Sequence, residues 1–156
     1  AATVEDVCLA GAMLGLELGA GLHPIGDAMV DRGHLALIGR FRSMLSSGFR
    51  VMAEAPLALS GARSWDLLLR LGELVIGVEA ETRVRDTQAF VRRIRLRERD
   101  GGADAIVIVL SDSRHNRDIV GELRAMLGPA YATPARALLA ALRPGTIVPG
   151  SGVILL

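Results

Sequence analysis

Lysine is missing from this chain of 156 residues: all 18 basic residues are arginine, set against 17 acids for a net charge of +1. So even a balance exerts no overall pull on nucleic acid or on an anionic membrane surface. Cysteine occurs once, at Cys8, which excludes an internal disulfide and gives no sign of an oxidising compartment; Cys8 reads as a small buried hydrophobe. Aromatics are scarce. Phe41, Phe49, Trp65, Phe90 and Tyr131 are the whole set, too few for the stacking platforms that hold single-stranded nucleic acid. Long apolar runs are also lacking, since the longest aliphatic stretch, Ala105 to Leu110, falls far short of the roughly 20 residues of a membrane-spanning helix. The first residues lack the basic and apolar regions of a signal peptide and look cut from something longer. A soluble, cytoplasmic protein with no membrane partner is therefore expected. Neither a Gly-x-x-x-x-Gly-Lys phosphate loop nor a Gly-x-Ser-x-Gly elbow occurs, and His23, His34 and His115 have no spacing that makes a zinc site.

What is present is a packable core, with 51% hydrophobic and 22% charged residues. Residues 3 to 15 predict a short helix capped by Thr3, and residues 16 to 22 alternate like a strand before Pro24, Gly26 and Asp27 break the chain near residue 27. Helical spacing returns from Ala28 to Leu45. The period then changes to two, predicting strands over Phe49 to Leu59, Ser64 to Leu71 and Glu73 to Glu81, with Gly61 and Gly72 at the turns. A helix over Thr82 to Asp100 and the continuous apolar run Ala105 to Leu110 complete a β-α-β crossover. Helices near 114 to 127 and 134 to 142 and a strand from Gly152 to Leu156 follow. The order predicts an α/β fold with a mixed sheet.

The chemistry-bearing segment is 64 to 81. Along the third strand Leu74, Ile76, Val78 and Ala80 share one face, and Val75, Gly77, Glu79 and Glu81 share the other, so two acids project together at its end. With an even number of loop residues at the preceding turn, Asp66 falls opposite Gly77 or Glu79 on that same face. Three adjacent carboxylates resist joint ionisation, and a hard divalent cation such as Mg²⁺ would relieve them while polarising a phosphodiester. The other reading is a solvated face whose acids pair with arginines such as Arg70, Arg83 or Arg85. Seven arginines at 83, 85, 92, 93, 95, 97 and 99 are expected on the following helix, where Arg85, Arg92, Arg95 and Arg99 suit a phosphate-gripping stripe or a face paired with Asp86, Glu98 and Asp100. In Asp112-Ser113-Arg114-His115-Asn116, Asp112 or Ser113 reads as a helix N-cap.

Asp66, a turn, then Glu79-Ala80-Glu81 at the end of an apolar strand with a helix after it resembles the Asp…Glu-x-Lys signature of the PD-(D/E)XK nuclease superfamily. The chain as a whole, through SWD, GVEAETRVRDTQA, RDGGAD, SDSRHNR and GSGVILL, resembles the part of actinobacterial regulators that follows a phage-repressor-like helix-turn-helix. The resemblance implies a restriction-endonuclease-like αβββαβ core over residues 28 to 111, with a mixed sheet flanked by helices, in a domain spanning residues 28–156. Residues 1–27 become the last helix and exit strand of a helix-turn-helix module. It further implies Asp66 and Glu79 as Mg²⁺ ligands, Glu81 as a general base or extra ligand and Gln88 as a polar helper; from the arginine run, Arg83, Arg85, Arg92 and Arg95 are the expected nucleic-acid contacts. DNA and a second copy of the chain are the partners it implies. The signature's lysine position holds Glu81; a chain without lysine cannot complete the motif, so either Glu81 and arginine serve a nuclease, or the domain is a catalytically inactive dimerisation or effector-binding unit of a transcription factor.

Overall fold

The computed structural model of the protein describes residues 28–57 and 59–156. The helix and strand expected within residues 1–27, with Cys8 and His23, lie outside the described residues. Within them the elements run α1 (Ala28–Arg42), β1 (Arg50–Leu57), β2 (Ser60–Leu71), β3 (Leu74–Glu81), α2 (Thr87–Gly101), β4 (Ala105–Leu110), α3 (Arg114–Leu127), a 3-10 turn (Pro129–Tyr131), α4 (Ala135–Leu142) and β5 (Gly152–Leu155). This is the α/β plan expected from the sequence.

The strands form one mixed sheet in the order β1-β2-β3-β4-β5. β1, β2 and β3 are an antiparallel meander, and β4 and β5 continue it in parallel. Leu71 pairs with Leu74 across a two-residue turn whose Gly72 has φ +59°, a conformation that a residue without Cβ adopts at little cost. β4 is apolar throughout because helices cover both of its faces, and all its side chains are buried. On one face, Leu37 and Phe41 of α1 and Leu138 and Leu142 of α4 pack against the sheet. On the other, Phe90 and Ile94 of α2 and Leu123 and Leu127 of α3 do so.

A break in the alternation of β2 shapes the site. Leu67 and Leu69 point into the core beneath α1, yet Trp65 lies in the core beneath α2, the opposite face. Across on β1, Glu54 has φ +48°, a left-handed conformation that costs an L residue about 1–2 kcal/mol. The pairs Ala53–Leu67 and Ala55–Trp65 are kept while Glu54 and Asp66 between them are not paired. Both strands turn over at this kink, and the β2–β3 ladder ends at Leu67 and Val78. Trp65 fills space that only glycine leaves open: an added Cβ would lie 2.7 Å from its ring at Gly77 and 2.5 Å at Gly101.

One expected boundary is corrected. α2 begins at Thr87 rather than Thr82, with the Asp86 carboxylate accepting the Ala89 amide at 2.9 Å as its N-cap. Arg83 and Arg85 therefore belong to the β3–α2 loop and not to the helix that carries Arg92 and Arg95.

Candidate functional site

The β2–β3 register places Asp66 across from Glu79, one step beyond the last paired residues. Because the strands separate there, Ala80 has no strand partner on that side, and its amide instead donates to Asp66 Oδ2 at 2.7 Å. Asp66 Oδ1 faces His34 Nε2 of α1 at 3.4 Å. The bond to Asp66 raises the His34 pKa; burial opposes it, and Glu81 and Glu79 add to the rise.

Glu79 shares the α2 side of β3 with Gly77 and Val75 and is only 3% exposed. Above it, Phe90, Arg93, Ile94 and Arg97 form the inner stripe of α2 at the i, i+3, i+4, i+7 spacing of a core-facing helix. Two arginines on an apolar stripe need acids beneath them. Arg93 Nε lies 3.2 Å from Glu79 Oε1, its Nη2 donates to Glu81 Oε2 at 2.7 Å, and Arg97 Nε lies 3.0 Å from Glu79 Oε2. The guanidinium of Arg93 also stacks 4.9 Å from the centre of the Phe90 ring.

Two such cations would ordinarily hold a carboxylate low, but burial, and then Asp66, outweigh Arg97 and Arg93 and push Glu79 up to about 7. Geometry explains why the arginines lose. Arg97 Nε gives its aligned hydrogen bond to the Ser64 carbonyl at 3.2 Å, so Glu79 Oε2 receives charge without a hydrogen bond.

These donors, as arranged, do not fit Mg²⁺. An octahedral oxygen site requires carboxylate oxygens free to turn toward the ion. Here Asp66 Oδ2 is taken by a backbone amide and both Glu79 oxygens face guanidinium nitrogens. Among the described residues, no three His, Cys, Asp or Glu side chains gather to hold a metal. The positive charge nearest Glu79 and Glu81 is that of Arg93 and Arg97.

Of the other candidates, Gln88 is exposed in the first turn of α2, apart from the acids' hydrogen bonds. Arg92 is exposed. Arg95 is committed internally, to Glu98, to the Leu127 carbonyl and over the Tyr131 ring at 5.6 Å. Arg83 and Arg85 are exposed in the β3–α2 loop.

Sequence reasoning passed over His34, Arg97 and Asn116. Arg97 carried a readable signal, the i, i+4 spacing from Arg93 on the apolar stripe. Asn116 carried none, because nothing local distinguishes it from a surface residue of α3, yet it is fully buried. Its Oδ1 accepts the Val84 amide at 3.3 Å, and its Nδ2 donates to the Thr82 and Ser111 carbonyls at 2.9 and 2.8 Å. His115 Nε2 bonds the Val84 carbonyl at 2.7 Å. Of the two expected caps, Ser113 is the one that caps α3, accepting the Asn116 amide at 3.2 Å, while Asp112 pairs with Arg117.

No helix among the described residues is long and apolar enough to cross a membrane. No family model matches this chain, and neither a curated protein nor a solved structure does.

Proposed function

We propose that this chain is a non-catalytic, ligand-responsive domain of a DNA-binding transcriptional regulator, built on the α-β-β-β-α-β order that nucleases of the PD-(D/E)XK type also use. One observation carries the reading: Arg93 bridges Glu79 and Glu81 at 3.2 and 2.7 Å, so both carboxylates already face a guanidinium. Arginine cannot give up its proton near neutrality, so it cannot replace a base or activate water by deprotonation. The regulator context rests on the sequence resemblance, and DNA would be reached through the module to which residues 1–27 are assigned.

A second reading, a Mg²⁺-dependent endonuclease, is favoured by the facing pair of Asp66 and Glu79, whose mutual repulsion is the usual mark of a cation site. Calorimetric titration of Mg²⁺ and Mn²⁺, together with a supercoiled-plasmid nicking assay on wild type and Glu79→Ala, separates the two. The non-catalytic reading expects no saturable metal binding and no nicking by either protein. Metal-dependent nicking that disappears in Glu79→Ala would overturn it.

A further inference from the structure

Beside the carboxylates, at the C-terminal end of β3, lies a cavity of about 370 Å³. Its walls include Arg83, Arg85, Arg93 and Phe90 together with the acids Glu81 and Asp86. Crevices at the carboxyl ends of strands are where open α/β sheets place ligands, and this size lies within the range of small-molecule sites.

The charges are unequal once internal pairs are set aside. Glu81 is bridged by Arg93, while Asp86, the N-cap of α2, keeps its negative charge. Arg83 and Arg85 are exposed and form no ion pair with an acid among the described residues. Arg83 and Arg85 together exceed the one acid left, Asp86, so the cavity wall keeps a net positive charge.

The loop is built to hold them there. Val84, between the two arginines, turns inward and is buried, which sends its neighbours outward. Asn116 and His115 tie the backbone of Thr82 and Val84 to α3 through the bonds given above. A loop fixed in advance loses little entropy when it closes on a ligand.

We propose that this cavity is a binding site for a phosphate group, gripped by Arg83 and Arg85. The planar donor fork of arginine matches phosphate oxygens in pairs. The inference deepens the non-catalytic reading by naming the ligand class, and it rests on that reading: the phosphate is bound and not hydrolysed.

The test is calorimetry on the whole chain in chelator, with inorganic phosphate and pyrophosphate in one arm and a short DNA duplex in the other. Saturable binding in either arm, weakened at least about tenfold in the double variant Arg83→Gln/Arg85→Gln, supports the site. Arg136→Gln on α4 removes a charge elsewhere and is expected to leave affinity unchanged. Binding of the small anions alone identifies a free phosphorylated ligand, and duplex binding displaced by pyrophosphate identifies the nucleic-acid backbone. No saturable binding in either arm, or affinity untouched by the double substitution, overturns the proposal. Nicking of plasmid on adding Mg²⁺ would instead overturn the non-catalytic reading, so the two failures are distinct.

Discussion

Glu79 places the chemistry of the site within one side chain. Its ordinary pKa of 4.5 rises to about 7 in the folded protein, so between those values the native state holds a proton that the unfolded chain releases. Stability from this group is greatest below pH 4.5 and is lost as pH rises to 7, by roughly 3 kcal/mol at 1.36 kcal/mol per pH unit. His34 acts in the same direction. Its raised pKa gives stability that is complete below 6.5 and disappears as pH climbs through the native value. The urea midpoint should therefore fall from about pH 5 to about pH 8, and Glu79→Gln, which mimics the protonated carboxyl, should remove the larger part of that fall. A carboxyl carbon resonance of Glu79 that titrates at the ordinary glutamate value would refute this account. That Asp66 faces Gly77 or Glu79 was legible from strand parity and an even turn, and the register of the β2–β3 ladder selects Glu79. The inward position of Arg93 and Arg97 was missed although they share the stripe of Phe90 and Ile94, because the seven arginines within 17 residues were read as one run.

Elements pack closely where glycine allows it. Trp65 is fully buried between β3 and the last residue of α2, and the missing side chains at Gly77 and Gly101 are its room. Gly77→Ala should cost about 1–3 kcal/mol by overpacking, and should also move Arg93 and Arg97 away from Glu79, since α2 is what must yield. Chemical denaturation combined with the Glu79 titration checks both effects: an unchanged midpoint would show that the ring has space to shift. Elements whose signals are local were readable in advance. α3 carries its cap, Ser113, and its period in adjacent residues, and the β2–β3 turn is marked by Gly72. The start of α2 was misread despite its local cap, Asp86, because Thr82 and Val84 also fit the helical period; in the fold Asn116, about 30 residues further on, bonds the backbone of both.

At the scale of the molecule, β4 joins two cores: Val107 and Val109 face α1 and α4, while Ile106, Ile108 and Leu110 face α2 and α3. A strand shared in this way should make unfolding cooperative. Leu37→Ala, in the core that Trp65 does not touch, should cost about 2–5 kcal/mol and shift the Trp65 fluorescence and far-ultraviolet dichroism transitions equally. Separate transitions would mean that the cores melt independently. Among the described residues the order of the sheet also leaves β1 outermost, where an outer strand normally offers a row of open backbone donors and acceptors to any passing chain. Glu54 interrupts that row in its middle, and the charged Arg50 lies near its start. The left-handed residue that turns Asp66 into the site thus also denies a neighbouring molecule a straight template, linking the geometry of the acids to the solubility of the sheet edge.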